Sequence, residues 1–202
     1  MVQQFLYDQI YPDSEIPSSQ LEVTAYPDFG GRISIFYSAI STFHAPSDIS
    51  NVDNLRREYI RATPSWRNGA ARYDCVFLNT DSEMEELEGM HGLEVARVLA
   101  FFSFIFNEEE YQCALIHWFC RVDSQPDPDA GMWIVEREFD INEEPHVAIV
   151  HVDSIYRAAH LLPVYRTNRY TSRSLSMHDT LDTFKQFYIN KFVDHHAFEI
   201  AF

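Results

Sequence analysis

The sequence is poor in positive charge. Fifteen Lys and Arg residues stand against 31 Asp and Glu residues, which gives a formal net charge of −16 over 202 residues. Proteins that bind duplex DNA usually neutralise its phosphates with a basic surface, and an acidic chain repels that backbone unless its few arginines gather in one patch. The composition therefore makes nucleic acid a weak expectation and makes basic partners, such as histone tails, electrostatically reasonable.

Cysteine and glycine are also scarce. The three cysteines, Cys75, Cys113 and Cys120, contain no CxxC pair and lie in apolar runs, which indicates reduced core residues in an intracellular protein. Only six glycines are present, and no phosphate-binding loop or nucleophile elbow can be built from them. No apolar run approaches about 18 residues and the N-terminus lacks the pattern of a signal peptide, so neither a membrane span nor a membrane partner is expected.

Aromatic and β-branched residues, by contrast, are abundant and occur in short runs. The chain is 46% apolar and includes 16 Phe and 11 Tyr, enough for a substantial core. Asn68-Gly69 predicts a tight turn and a hairpin, and Asn107, followed by three glutamates, predicts a second hairpin between two long strands. The fold class is therefore mainly β (β-rich α+β), a small barrel or sandwich with loop insertions and a C-terminal helix. Strand candidates cover 32–40, 57–63, 72–79, 93–106, 111–122, 132–138, 146–152 and 160–165.

The two ends of the chain give different predictions. Residues 1–31 contain three prolines and the pair Gly30-Gly31, which predicts an extended or partly disordered lead-in before a domain over 32–202. Ser176 and Asp179 have the spacing of a capping box, and aromatic and leucine residues then recur every three to four positions, which predicts a helix over about 177–190. The closing "AFEIAF" alternates as a paired strand would, and "DSIYRAAH" at 153–160 predicts one helical turn.

Nine histidines raise the question of a metal, although no HExxH or zinc-finger spacing is present. One alternative is a metal-dependent enzyme built on His117, His151, Asp153 and His160, which neighbouring strands could bring together. Asp194-His195-His196, near the C-terminus, would need further ligands, and we expect it to be the packed end of the domain. The acidic clusters 81–88, 108–110 and 138–144 are typical of solvated surface. The sequence thus predicts no catalytic residues, no metal ligands and no cofactor.

Two tryptophans are candidate peptide-binding residues. Trp66 lies in the turn "PSWRNG", and Trp133 begins a strand beside acidic loops, where an aromatic cage with carboxylate support could bind a methylated ammonium group. Hydrophobic packing is the alternative for both. Direct DNA binding is a further alternative, and it requires five arginines to gather on one face: Arg56, Arg57, Arg61, Arg67 and Arg72.

Seven segments together resemble a known group of proteins. They are "SAISTFHAPSD", "SWRNGAARYDCVFLNTD", "GMHGLEVARVLAFFSF", "CALIHWFCRV", "GMWIVE", "AAHLLPVYR" and "KFVDHHAFEIAF". In this order they resemble a C-terminal region of basidiomycete fungal proteins related to Plavaka-type (CACTA-like) and KDZ-type transposases. Because that region follows the catalytic part, the resemblance implies an accessory module with no catalytic residues.

The centre of the chain is similar to a bromo-adjacent-homology (BAH) domain, a β-rich chromatin module. The similarity rests on "ARVLAFFSFIF", "YQCALIHWF" and "AIVHVDSIYRAAHLLPVY", in which a strand, an I-x-x-A turn and an h-h-P-V segment follow one another. It implies a small barrel and chromatin partners, in agreement with the negative charge. The function expected from the sequence is a non-catalytic interaction module in the nucleus that binds histone tails or the transposase assembly.

Overall fold

The computed structural model describes residues 1–14, 16–46, 54–80, 90–165 and 176–201. The fold is mainly β, as the sequence predicts: a nine-stranded antiparallel sheet forms a nearly closed barrel, beside a three-stranded sheet and a short C-terminal helix. The predicted acidic cluster at 81–88 lies outside the described residues. The strands are β1 (Ile33–Phe36), β2 (Ser38–His44), β3 (Leu55–Thr63), β4 (Arg72–Tyr73), β5 (Cys75–Asn79), β6 (Leu93–Phe106), β7 (Glu109–Arg121), β8 (Ile134–Arg137), β9 (Val147–His151), β10 (Ile155–Ala159), β11 (Leu161–Pro163) and β12 (Gln186–Ile189).

The long hairpin of β6 and β7 organises the barrel. Asn107 and Glu108 both adopt positive φ, so a two-residue turn joins the strands, and the predicted second hairpin is confirmed. Each strand changes its outer neighbour along its length: β6 pairs first with β5 and then with β1, while β7 pairs first with β9 and then with β8. The main sheet follows the order β10-β5-β6-β7-β8-β12-β11.

The N-terminal lead-in predicted over 1–31 is wrong for its first ten residues. Helix α1 (Val2–Ile10) packs on the turn end of the β6–β7 hairpin, where Phe5 and Leu6 are buried against Phe102 and Phe104. The prolines that suggested an extended chain begin only at Pro12, after the helix has ended. A helix with one apolar face is stable here, because the sheet supplies the surface that covers this face.

The three-stranded sheet, β2-β3-β4, lies over the barrel with one face inward. Ile60 and Ala62 are buried in a cluster with β5 and β6 residues, whereas Arg57 and Tyr59, at alternate positions, are exposed and Arg61 is half-buried. The predicted first hairpin is present between β3 and β4, but positive φ occurs at Arg67 and Asn68, one residue earlier than the Asn68-Gly69 pair. This shift places Trp66 at the first position of the turn, and its carbonyl accepts a hydrogen bond from the Gly69 N–H (2.9 Å).

The predicted helix over 177–190 is wrong in its second half. A 3-10 turn (Met177–Asp179) and the four-residue helix α2 (Thr180–Thr183) are followed by strand β12, which pairs with β8 and β11. Phe187 and Ile189 alternate inward and are fully buried, because two neighbouring strands satisfy the backbone and favour a period of two. The end of the chain is helix α3 (His195–Ile200) and not a strand, and the predicted helical turn at 153–160 is a 3-10 turn (Val152–Ser154) followed by β10.

Candidate binding face

The outward side of the three-stranded sheet gathers arginine and aromatic side chains. Strand β3 directs Arg57, Tyr59 and Arg61 to this side, and the register with β2 places Ile40 directly opposite Tyr59. Tyr59 is 54% exposed and Ile40 is 50% exposed, so both present apolar surface to solvent. With the hairpin turn beyond β3, these residues form what we call the arginine–aromatic face: Ile40, Arg57, Tyr59, Arg61, Trp66, Arg67 and Arg72.

Trp66 is the centre of this face. The guanidinium carbon of Arg61 lies 4.7 Å from the Trp66 ring centroid, that of Arg67 lies 5.3 Å away, and that of Arg72 lies 5.4 Å away. Arg61 also lies 4.7 Å from the ring centroid of Tyr59. The three guanidinium groups are therefore held by cation–π contacts, which fix their positions without neutralising their charge.

Charge on the arginine–aromatic face is largely uncompensated. Arg72 is paired with Asp74 at 2.8 Å, but within the described residues Arg57, Arg61 and Arg67 form no ion pair. The outward positions of β2 and β3 carry no carboxylate. A local cluster of positive charge therefore stands on a chain whose net charge is −16, and its planar donors can bind carboxylate or phosphate groups in a bidentate manner.

The structure separates the two tryptophans predicted to bind a peptide. Trp66 lies at the candidate face, but three guanidinium groups surround it, so a methylated ammonium group would meet like charge there. Trp133 is only 3% exposed and packs in the core with Phe119 and Phe187. Trp133 lacks the exposed ring that the peptide-binding prediction requires, because strand β8, which it directly precedes, lies between β7 and β12 within the sheet.

The arginines proposed for DNA binding are also divided between two faces. Arg57, Arg61, Arg67 and Arg72 lie on the outward side, whereas Arg56 lies on the inward side of β3. The Arg56 guanidinium is 3.2 Å from an oxygen of Asp194. Four of the five arginines therefore gather on one face, whereas the DNA-binding alternative requires all five there.

The residues of the proposed metal site do not converge. The pairing of β7 with β9 sets His151 opposite Cys113 and His117 opposite Val147, which separates the two histidines by four residues along β7, about 13 Å. The ring of His117 is bound to the Glu138 carbonyl oxygen at 2.8 Å.

His151, at the other end of β9, is occupied by the N-terminal helix. Its Nε2 lies 2.8 Å from the side-chain oxygen of Gln9. Asp153 lies in the following 3-10 turn and His160 is exposed beyond β10. Across the described ranges, no three His, Cys, Asp or Glu side chains are arranged to hold a metal ion.

Asp194 and His196 belong to a buried cluster around Arg157, whose side chain is fully buried. One guanidinium nitrogen of Arg157 donates to Asp194 (2.7 Å) and to Glu58 (2.9 Å), and the other donates to Asp194 and His196, both at 3.0 Å. Asp194 also caps helix α3 by accepting the Ala197 N–H at 2.7 Å. The segment is a packed end of the domain, as the sequence predicts.

Burial and charge fix the protonation of this cluster. Burial alone would raise the pKa of Asp194, but hydrogen bonds from Arg157 and the Ala197 N–H hold that pKa well below its usual range. Burial lowers the pKa of His196, and the adjacent Arg157 charge lowers it further. Because Arg157 can only donate to Nδ1, the neutral ring carries its proton on Nε2, toward the Tyr156 hydroxyl at 3.1 Å.

The buried cysteine thiols lack the low pKa of a reactive cysteine. Burial raises the pKa of Cys75 to about 12 and that of Cys113 to about 12, so neither forms a thiolate near neutral pH. Cys120 is half-buried, and its thiol lies 3.7 Å from the Glu136 carbonyl oxygen.

Comparison with known proteins gave no match to a protein-family model, a curated protein or a solved structure. Among the helices of the described ranges, none combines the length and apolar character needed to cross a membrane.

Proposed function

We propose that this chain is a non-catalytic interaction module and that the arginine–aromatic face is its binding surface. The observation that carries the proposal is the set of ion-pair-free arginines, Arg57, Arg61 and Arg67, beside exposed aromatic surface on a strongly acidic chain. Arginines that only served solubility would not need to be ordered on a tryptophan. Their arrangement suits a ligand that offers both negative charge and apolar groups.

The partner that fits this face best is an acidic segment of another protein. Charges are screened over about 8 Å at physiological ionic strength, so a short segment interacts mainly with the local arginines. A long polyanion would extend beyond the face and meet the acidic remainder of the molecule. The resemblance to an accessory region of transposase-related proteins supports a partner within the transposase assembly, and hence a nuclear site of action.

Chromatin partners fit this proposal only if the segment that they offer is acidic. A lysine-rich histone tail has the wrong sign for the arginine–aromatic face, because Trp66 already lies among three guanidinium groups. Support for histone-tail binding through this face is therefore limited to the net charge of the chain.

Single-stranded nucleic acid is the second candidate ligand. Exposed Tyr59 and the Arg61–Trp66 stack supply the combination of aromatic rings and guanidinium planes on which unpaired bases stack. Four of the five arginines that the DNA-binding alternative requires lie on one side. The net charge of −16 opposes this candidate.

A fluorescence-polarisation titration separates these possibilities. The purified chain is titrated with an acidic peptide containing Phe and Ile, a lysine-substituted version of it, methylated histone-tail peptides and single-stranded DNA, at low and physiological salt. We expect micromolar binding of the acidic peptide only, weakened at least about tenfold in Arg61→Gln/Arg67→Gln. The matched control is Arg32→Gln/Arg121→Gln, which removes the same charge from exposed positions elsewhere.

Three other outcomes of this titration would contradict the proposal. Binding of DNA without peptide, lost in Arg61→Gln/Arg67→Gln, would establish the second candidate. Selective binding of a methylated histone tail would replace the proposal by chromatin reading. Equal weakening in the control variant would show that only the overall charge matters.

A further inference from the structure

The connection between β8 and β9 presents an isoleucine entirely to solvent. Ile141 is 100% exposed, and Phe139, two residues earlier, is 47% exposed. Isoleucine is among the residues most often buried in folded proteins. Four carboxylate residues surround this apolar tip within the same connection, which we call the acidic turn (residues 138–146): Glu138, Asp140, Glu143 and Glu144.

The acidic turn is ordered by its own hydrogen bonds. The carboxylate of Asp140 accepts the N–H groups of Asn142 (2.8 Å) and Glu144 (2.9 Å), and its backbone N–H donates to the Glu144 carbonyl at 2.8 Å. The N–H of His146 closes the base of the turn by donating to the Glu138 carbonyl at 3.0 Å. Ile141 is therefore held outward by a preorganised turn, and a preorganised segment loses less entropy on binding.

The acidic turn and the arginine–aromatic face have complementary properties. The turn places an isoleucine among carboxylates, whereas the face places Ile40 and Tyr59 among Arg57, Arg61 and Arg67. Apolar contact at the centre with opposite charges around it is the usual arrangement of a specific protein interface. Both halves of such an interface are present on one chain.

We infer that the arginine–aromatic face of one copy of this chain binds the acidic turn of a second copy. The inference rests on the proposed function, since it names the acidic segment that the face binds. The two surfaces lie on different elements, β2-β3-β4 and the β8–β9 connection, so the contact is heterologous. Each copy offers one face and one turn, and repeated contacts give either a closed ring or an open chain.

Sedimentation velocity over a concentration series tests the inference. We expect the mean mass of the wild-type chain to rise with concentration and to fall as salt is added, because screening weakens the charge pairs. The face variant Arg57→Glu/Arg61→Glu and the turn variant Ile141→Ser/Glu144→Gln should each be monomeric. If the face variant does not fold, as judged by its unfolding transition, Arg61→Gln/Arg67→Gln replaces it.

Mixing the two monomeric variants gives the decisive measurement. The turn variant keeps an intact face and the face variant keeps an intact turn, so an equimolar mixture should form a one-to-one heterodimer that cannot grow further. A mixture that stays monomeric while the wild-type chain associates would overturn the heterologous contact.

A wild-type chain that remains monomeric at every concentration would overturn self-association. Titrating the turn variant with the acidic peptide then distinguishes the two proposals. If the peptide binds, the proposed function stands and only self-association fails. If the peptide does not bind, the proposed function fails as well.

Discussion

The two faces of strand β3 use arginine in opposite ways. On the inward side, Glu58 meets Arg157, which is fully buried and shares its donors among carboxylates and His196. On the outward side, Arg61 and Arg67 lie on the Trp66 ring and, within the described residues, form no ion pair. The charge of Arg157 is neutralised by carboxylates, and its side chain joins β10 to β3 and to α3. The outward arginines, in contrast, keep a charge that is available to a ligand.

This difference separates stability from binding along a single strand. A buried charge is tolerated only when partners neutralise it, so its removal leaves those partners unpaired. An exposed charge on an aromatic ring contributes little to folding, so its presence needs another explanation. Substitutions on the two sides of β3 test that separation.

The largest effect is expected at Arg157. Replacing Arg157 with Met leaves Glu58 and Asp194 in a buried site without their main donor, and breaking such a pair typically costs about 3–5 kcal/mol. The free energy of unfolding, measured by urea denaturation, should fall by that amount. The control Arg61→Met, on the outward side, should change it by less than about 1 kcal/mol. Similar losses at both positions would remove the distinction between the faces.

A comparison of two tryptophans gives the next largest effect. Trp133→Ala empties a packed core position and should cost about 3–5 kcal/mol of unfolding free energy, as for other buried aromatic residues. Trp66→Ala should cost less, since Trp66 is half-buried in a turn, but should weaken binding of the acidic peptide at least about tenfold because the arginines lose their support. Denaturation and fluorescence polarisation on both variants check this, and reduced peptide affinity in a folded Trp133→Ala chain would contradict it.

The pH dependence of stability should report the inward cluster. His196 has a lowered pKa in the folded chain, so below its ordinary value of 6.5 the unfolded chain takes up a proton that the folded chain does not. The contribution of His196 to the free energy of unfolding is therefore complete above pH 6.5 and decreases as the pH falls below that value. Asp194, whose pKa is also lowered, adds a further loss below pH 3.8.

The variant His196→Gln isolates the loss of stability that is due to His196. Glutamine keeps an acceptor for Arg157 but does not titrate, so the slope of unfolding free energy against pH between 6.5 and 5 should flatten. Urea denaturation at several pH values measures the slope, with His178→Gln, an exposed histidine, as the matched control. An unchanged slope in His196→Gln would show that another group controls it.

The smallest effect concerns the turn beyond β3. Arg67 and Asn68 adopt φ values of 50° and 62°, a region that favours glycine. Arg67→Gly should leave stability unchanged or raise it by up to about 1 kcal/mol, yet it should weaken peptide binding. Asn68→Gly relieves the same kind of strain without removing a guanidinium, so it should leave binding unchanged. Thermal unfolding and peptide titration of the two variants make the comparison.

The sequence predicted those parts of the fold that depend on neighbouring residues. The β6–β7 hairpin followed from two apolar runs joined by Asn107, because turn residues and strand propensity act over a few positions. The sequence also named five neighbouring arginines, which lie within 17 positions of one another, and four of them form part of the candidate site. Their division into an inward and an outward set could not be predicted, because a shift of one residue in register exchanges the faces.

The failed predictions share one physical cause. Phe184, Phe187 and Tyr188 fit a helical spacing, while Phe187 and Ile189 fit a strand spacing, and only the presence of β8 and β11 on either side decided for a strand. Helix α1 likewise depends on the β6–β7 surface that covers Phe5. Local sequence patterns indicate which residues can be buried, but they do not predict which surface of the fold will cover those residues.

By itself, then, the sequence determined the mainly β class, the long hairpin, the acidic charge and the supply of arginines near Trp66. Tertiary structure alone decided that Arg157 would meet Glu58, 99 positions away, and Asp194, 37 positions away. It also decided that Trp133 would be buried while Trp66 remained at the surface. The reason is that compensation of charge and burial of rings depend on side chains that are distant along the chain, and only the pairing of strands brings them together.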